Sequence, residues 1–340
     1  MARFGLFSSR LTQERNYMNL ETSRPNPELS AEGASQRAPA TAERFVPSWR
    51  RFKGFAIFSV VLALVFIKPL LALIAYAPGD DLFSHILLIP FISAFLIWTR
   101  RTEFVPESEP NRRLAWLPFV VGAAVLIGYR IGLSRGSKLG EHDYLAAMTF
   151  AFVCFLLVGA FLFVGAKYLK SITFAVAFLF LSVPFPQIMR DGLEAFFQHG
   201  SAEVAYWMLT ISGMPVLRDG TYFKMPAFAL NVGPQCSGIH SSLMLFITSL
   251  LAAHFFLRTP VRRWLFVLSV IPLGLLRNGF RVFCLGQIGV HYDPLILDSW
   301  FHHRGGALFF LLSLVPLFFL LSYLIKSETR KEQAMAVPTK

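Results

Sequence analysis

The sequence predicts an all-α polytopic integral membrane protein, and three observations indicate this fold class. Apolar residues make up 55% of the 340-residue chain and charged residues only 15%, whereas soluble domains contain roughly 45–50% and about 25%. The mean hydropathy is +0.54. The apolar residues also occur in runs of about twenty, which is the length that a helix needs to cross a bilayer. We therefore expect a bundle of helices embedded in lipid.

The apolar runs predict about eight transmembrane helices within a membrane domain at residues 53–326. Residues 1–52 are rich in Arg, Ser, Pro, Glu and Ala and contain no apolar stretch long enough for a signal-peptide core, so a disordered basic tail is expected there. Residues 327–340 form a second, short tail. The predicted spans cover 54–77, 82–99, 114–133, 144–166, 168–186, 237–257, 264–290 and 307–325.

The distribution of basic residues predicts the orientation of these spans. Lys and Arg are retained on the cytoplasmic side of a membrane, and here they cluster before the first span and in alternate connections after it. Only the third connection, with Arg130, Arg135 and Lys138, departs from this pattern. This pattern places both termini in the cytoplasm and residues 187–236 and 290–306 outside. The net charge of +12 does not form the continuous basic face that nucleic acid requires.

The long outer stretch before the sixth span predicts two elements. Apolar residues recur at helical spacing between Leu193 and Ile211, which is typical of an amphipathic helix lying along the membrane surface. Asp219-Gly220 then lies between two runs rich in apolar residues, a pattern that favours a short β-hairpin. The hairpin would lead directly toward Cys236.

The cysteines argue against a metal site or a disulfide framework. Cys154 and Cys284 lie inside apolar runs and are interpreted as small core residues. Cys236 differs because Gly233-Pro234-Gln235 precede it at the start of a span. No Cys-x-x-Cys pair and no His/Cys ligand spacing occurs, so no metal and no cofactor is expected.

Three reactive side chains are predicted to meet at the outer membrane boundary. Cys236 begins the sixth span, Arg281 lies toward the outer end of the seventh, and His302 comes just before the eighth. A thiolate is favoured by a nearby cation and by a helix N-terminus. An imidazole can take the thiol proton and later give it to a leaving amine. These groups are the parts of a cysteine protease or transpeptidase.

The small residues after the cysteine are candidate supporting residues of this site. Ser237 and Gly238 would allow a substrate backbone to approach closely, and N–H groups of the first helical turn could receive an oxyanion. His303 is adjacent to His302 and is an alternative acid/base.

Two residues of the seventh span are further candidates. Asn278 shares a helix face with Arg281, and Arg277 lies one turn before Arg281. Arg277 could instead extend to lipid headgroups or pair with a carboxylate, because an arginine within a span needs a partner or a function.

Together, these motifs resemble the exosortase/archaeosortase family of polytopic membrane transpeptidases, from the first predicted span onward. The motifs are Cys-Ser-Gly-Ile at 236–239, Asn-x-x-Arg at 278–281 and His-x-x-x-Gly at 302–306. Val183-Pro184 closing a span and Gly213-Met214-Pro215-Val216 before the hairpin are also similar to the family.

The resemblance implies an enzyme in the cytoplasmic (inner) membrane of a bacterium, with its active site facing outward. Its partners would be membrane-anchored proteins that carry a C-terminal sorting signal, as in PEP-CTERM-like systems. Cys236 would cleave the signal and form a thioester, Arg281 would stabilise the thiolate or oxyanion, and His302 would act as acid/base. The acyl group would pass to a lipid- or glycan-linked acceptor or to water.

Two other classes of function compete with this interpretation. A polytopic transporter could use Arg277 and Arg281 in an anion pathway, and a non-catalytic membrane component of an envelope polysaccharide export system needs neither. Under both alternatives, Cys236→Ser would have no effect. The sequence contains no internal repeat of the kind that transporters commonly show.

Overall fold

The computed structural model describes residues 49–80, 82–100, 111–226, 229–233, 237–292 and 306–336. This part of the chain contains twelve α-helices and one small antiparallel sheet. The helices are α1 (Trp49–Val65), α2 (Ile67–Tyr76), α3 (Ile89–Thr99), α4 (Arg112–Ser134), α5 (Glu141–Gly159), α6 (Ala166–Ser171), α7 (Thr173–Leu179), α8 (Gln187–Ile211), α9 (Ile239–Phe256), α10 (Pro260–Leu268), α11 (Val270–His291) and α12 (Gly306–Ala336). The strands are β1 (Leu217–Asp219), β2 (Tyr222–Lys224) and β3 (Ala229–Asn231).

The predicted all-α polytopic class is confirmed. Within the described residues, five helices are long and apolar enough to cross a membrane, and two bent helix pairs raise this number to seven if each pair is one span. The prediction of about eight spans is not confirmed, because the predicted span 82–99 is the shorter apolar helix Ser84–Thr99. The five helices cover Arg112–Ser134, Glu141–Val164, Ile239–Phe256, Pro260–His291 and Leu308–Arg330.

Of the two bent pairs, the first interrupts the predicted span 54–77, and the second bends where the predicted span 168–186 ends. The helices Arg51–Val65 and Ile67–Gly79 meet at 72°, and Thr173–Ser182 and Gln187–Ile211 meet at 92°. Pro184 and Pro186 lie at the second bend, where their missing N–H groups cannot continue a helix. Hydropathy does not detect the first bend, because both sides of it are apolar.

Helix α8 confirms that the stretch between Leu193 and Ile211 is helical, and it packs closely on α11. A Cβ added at Gly279 would lie 2.5 Å from Val204 Cγ1, and one at Gly286 would lie 3.1 Å from Leu209 Cδ2. Small residues at a crossing let two backbones approach. The large side chains of α8, such as Trp207 and Ile211, are exposed instead, as lipid contact requires. Its position along the membrane surface stays a prediction.

The predicted hairpin is confirmed, and a third strand joins it. Asp219 pairs with Tyr222 across Gly220-Thr221, and β2 pairs with β3. Gly220 has φ +60°, a conformation that glycine adopts without steric cost. Buried residues of the sheet pack against α8 and α11. The sheet therefore fixes the chain shortly before residues 234–236, which lie outside the described part.

Candidate active site

A cavity of about 990 Å³ opens where several helices begin. It lies at the N-terminal ends of α5, α8, α9 and α12, beside the connection that follows α2 and beside α11. The lining residues are Gly79, Asp80, Leu82, His142, Gln187, Arg190, Asp191, Glu194, Ser237, Gly238, Ile239, His240, Ser241, Met244, Arg281, Gly306 and Phe310. Helix N-termini direct unpaired N–H groups and positive dipole ends toward such a space.

The turn that follows Cys236 forms one wall of this cavity. Cys236 itself lies outside the described residues, but Ser237 and Gly238 both line the cavity. Gly238 precedes the first turn of α9 with φ +72°, and a Cβ added there would lie 2.7 Å from Asn278 Cγ. Only glycine combines this left-handed backbone with this close approach. The small residues of the motif are therefore required by the local geometry.

Arg277 supports the turn from beneath and does not line the cavity. Its Nη2 donates to the Gly238 carbonyl at 3.0 Å and to Ser242 Oγ at 3.2 Å. The residue is 7% exposed, and its Nη1 has no hydrogen-bond partner within the described residues. Its partners are thus a carbonyl and a hydroxyl rather than the lipid headgroup or carboxylate that the sequence left open. Arg277 tethers α11 to the start of α9.

The two residues of the Asn-x-x-Arg motif have different surroundings: the asparagine is buried, and the arginine lines the cavity. Asn278 is 2% exposed and lies against Gly238. Arg281, one turn further along α11, is half-buried and lines the cavity. The spacing of three residues therefore holds the turn in place and also brings a guanidinium beside it.

His302 and His303 lie outside the described residues. Gly306, which ends their motif, and Phe310 line the same cavity. The structure therefore brings together the residues that follow the cysteine, the arginine of the second motif and the glycine of the third. The roles of Cys236, His302 and His303 stay predictions.

Sequence reasoning missed a polar cluster on the cavity wall. Arg190 Nη1 donates to Asp80 Oδ2 at 3.2 Å and to His142 Nε2 at 2.9 Å, and Tyr76 O–H also donates to Asp80. From the sequence, no function is predicted for Asp80 or for His142. These residues come from three distant parts of the chain, so no spacing pattern in the sequence links them.

The cavity also carries Asp191, Glu194 and His240. Among the described residues, no group of three or more His, Cys, Asp or Glu could hold a metal ion. The expectation that the protein works without a metal stays a prediction.

Comparison with known proteins identifies the family. The sequence-family model of the transmembrane exosortases matches residues 76–319. This segment includes every residue that lines the cavity. No curated protein and no solved structure matches the chain. The match supports, in general terms, a role as a membrane transpeptidase. The chain belongs to the transmembrane exosortase family.

Proposed function

We propose that the chain is a cysteine protease/transpeptidase that cleaves the C-terminal sorting signals of exported proteins and transfers the cleaved proteins to a surface acceptor. One observation carries this proposal. Ser237-Gly238, Arg281 and Gly306 come from three separate motifs and line a single cavity. A transporter or a scaffold would not require Ser237-Gly238, Arg281 and Gly306 to line the same cavity.

The first half of the reaction forms a thioester. His302, or His303 in its place, takes the thiol proton of Cys236, and Arg281 stabilises the thiolate. The thiolate attacks the scissile carbonyl carbon, and first-turn N–H groups of α9 receive the developing oxyanion. Collapse of this intermediate breaks the C–N bond, and the histidine returns its proton to the leaving amine.

The second half releases the acyl group. A hydroxyl or amine of a lipid- or glycan-linked acceptor, or a water molecule, attacks the thioester carbonyl. The histidine takes the proton of this nucleophile as the C–S bond breaks and the Cys236 thiolate leaves. Only the acceptor decides between transfer and hydrolysis.

We place the enzyme in the cytoplasmic membrane of a bacterium, with both termini inside and the cavity at the outer face. The distribution of Lys and Arg supports this orientation, and the cavity lies at the ends of the spans rather than at their middle. A substrate anchored by its own transmembrane helix would then present its cleavage point at the depth of Cys236.

A processing assay in cells tests the proposal. The size and membrane association of a sorting-signal protein are measured with the wild type, Cys236→Ala and Cys284→Ala at equal membrane levels. Cys284 is a matched control because it lies in α11 and does not line the cavity. We expect unprocessed substrate to accumulate only with Cys236→Ala. Unchanged processing in that variant would favour the transporter or scaffold.

Thiol labelling tests the role of Arg281. Cys154 and Cys284 are replaced by Ser so that Cys236 is the only thiol, and maleimide labelling is followed at neutral pH. Arg281→Lys should retain part of the labelling rate and Arg281→Ala much less, because the cation favours the reactive thiolate. Equal labelling of all three proteins would exclude the electrostatic role.

Separate variants of the two histidines identify the acid/base. The spacing to Gly306 favours His302, so His302→Gln should abolish processing while His303→Gln retains it. The reverse result would assign the role to His303.

A further inference from the structure

The connection between α4 and α5, residues 135–140, carries basic residues at the cavity end of the bundle. Arg135 and Lys138 lie in this connection, and Arg130 lies near the end of α4. His142 follows in the first turn of α5 and lines the cavity, so the connection is on the side that we place outside. Basic residues in an outer connection oppose this orientation. Topology therefore does not account for their position.

The connection folds back on the end of α4. The Ser137 N–H donates to the Gly132 carbonyl at 3.0 Å. Leu139 Cδ1 lies 3.0 Å from the position that a Cβ at Gly132 would occupy, so the missing side chain lets the connection approach the helix. Lys138 lies between these two contacts and is held beside the helix end that carries both arginines.

Arg130, Arg135 and Lys138 form what we call the outer basic patch. All three residues are exposed, and none takes part in an ion pair within the described part of the chain. The exposed carboxylate nearest to them in the sequence is Glu141, and one carboxylate does not balance three cations. The patch therefore keeps a net positive charge that solvent or a ligand has to compensate.

Asp143 ties the connection to the wall of the cavity. Its Oδ2 accepts from the Gly140 N–H at 3.1 Å, and its Oδ1 accepts from the N–H of the cavity residue Gln187 at 2.9 Å. Lys138 precedes His142 by four residues, which limits the distance between their Cα atoms to about 14 Å. The patch therefore lies beside the cavity in which we propose that the thioester forms.

The chemistry of the patch fits phosphate groups at a membrane surface. Clusters of Lys and Arg beside a transmembrane helix bind lipid head groups, and guanidinium groups match phosphate oxygens in charge and geometry. Three cations favour a ligand with more than one negative charge over a single carboxylate. A phosphate-bearing lipid supplies such charges at the depth where α4 ends.

We propose that the outer basic patch binds the phosphate groups of a lipid that carries the acceptor, and so holds the acceptor beside the cavity. The inference rests on the proposed function and names the chemical class of its acceptor. The hydroxyl or amine of the bound lipid attacks the thioester carbonyl, the histidine takes its proton, and the Cys236 thiolate leaves. The patch residues position the lipid and take no part in bond breaking.

Titration of the full-length Cys236→Ala protein tests the lipid site without any cleavage. The probe is farnesyl diphosphate, an isoprenoid chain that carries phosphate groups, and its binding to the protein in a neutral detergent is followed by isothermal titration calorimetry. Inorganic diphosphate carries the charge without the chain, and farnesol carries the chain without the charge. We expect farnesyl diphosphate to bind about tenfold more tightly than either. High salt should weaken this binding, because it screens exposed charges.

Paired variants assign this binding to the patch. Arg135→Gln/Lys138→Gln should weaken the binding of farnesyl diphosphate about twentyfold, from a loss of about fivefold for each basic residue near a lipid head group. Arg218→Gln/Lys224→Gln is the matched control, since it removes the same charge from the sheet, outside the cavity. Arg130→Lys/Arg135→Lys keeps the charge and should bind within about threefold of the unaltered patch. Removal of outer cations also favours the proposed orientation, so the variants should insert normally.

Analysis of the product tests the role of the patch in transfer. In cells with an active Cys236, mass spectrometry of the new C-terminus distinguishes a protein joined to a lipid from one released by water. We expect the Arg135→Gln/Lys138→Gln enzyme to cleave the substrate but to release mainly the hydrolysed protein. The control pair should give the same product as the wild type.

Three results would overturn the inference. They are equal binding of farnesyl diphosphate in the patch and control variants, equally tight binding of inorganic diphosphate or farnesol, and an unchanged product in a patch variant that no longer binds the probe. Patch-dependent binding together with processing that does not need Cys236 would instead reject the proposed function and leave the lipid site intact.

Discussion

A polar cluster lies near each end of α12, and the two clusters differ in how exposed they are and in how they are hydrogen-bonded. At the cavity, the side chain of Arg190 is 27% exposed, and its Nη1 donates to Asp80 and to His142. Glu328 lies 22 residues after Gly306, about 33 Å along the helix at ~1.5 Å per residue. Its side chain is 8% exposed and receives the N–H groups of Arg258 and Thr259, the Thr259 hydroxyl and an ion pair with Arg262.

The difference separates stability from binding. Glu328 ties the extension of α12 to the connection between α9 and α10, and both its oxygens are satisfied. A buried carboxylate whose two oxygens already accept hydrogen bonds has no acceptor left for a ligand. Arg190 is held by Asp80 and His142 but stays partly exposed in the cavity, where a ligand can reach it. Changes at the cavity should therefore alter processing, and changes at Glu328 should alter the melting temperature.

The largest effect on processing is expected for Gly238→Ala. The substitution strains a left-handed backbone by about 1–2 kcal/mol and places Cβ 2.7 Å from Asn278 Cγ. Displacement of the turn beside Cys236 should lower the processing rate about a hundredfold. Gly136→Ala is the control, since Gly136 has φ +75° with nothing within 4 Å. Equal losses in both variants would show a folding defect only.

A smaller loss of processing is expected for Arg277→Met. The change removes the donor to Gly238 and Ser242, which costs about 1–3 kcal/mol and loosens the turn. The matched variant is Arg263→Met, because Arg263 donates to the Leu257 carbonyl at the other end of α9. Both should lower the melting temperature, but only Arg277→Met should slow processing per folded molecule. Equal processing rates would remove the positioning role of Arg277.

Glu328→Gln should destabilise the protein without affecting the reaction. The amide keeps one acceptor but loses the other and the charge, at a cost of about 1–3 kcal/mol in the free energy of unfolding. Thermal unfolding in detergent measures this loss. Processing per folded molecule should match the wild type, whereas Asp80→Asn should reduce it. Slower processing per folded molecule in Glu328→Gln would contradict the idea that Glu328 contributes only to stability.

The smallest effect is expected for Arg218→Lys. Arg218 pairs with Glu203 on the surface of α8, and exposed ion pairs contribute little to stability. Neither the melting temperature nor processing should change measurably. A clear loss of processing would show that the sheet contributes to the site more directly than its packing indicates.

The Asn-x-x-Arg spacing shows where sequence and structure contribute differently. Three residues on a helix place two side chains on roughly one face, so the proximity of Asn278 and Arg281 could be predicted. That Asn278 limits the space beside Gly238, while Arg277 holds its carbonyl, depends on how α11 crosses α9. Hydropathy similarly located the apolar runs but missed the bend of 72° within the predicted span 54–77, because local composition does not reveal a change of direction.

The sequence by itself determined the all-α membrane class, the helix before the hairpin, the hairpin and the three motifs, since hydrophobic runs and short-range turn signals are local properties of a chain. Only the tertiary structure decided that Ser237-Gly238, Arg281 and Gly306 line one cavity and that Arg190 meets Asp80 and His142 there. Such contacts depend on helix packing, which joins residues far apart in the chain. No local pattern encodes which helix ends meet.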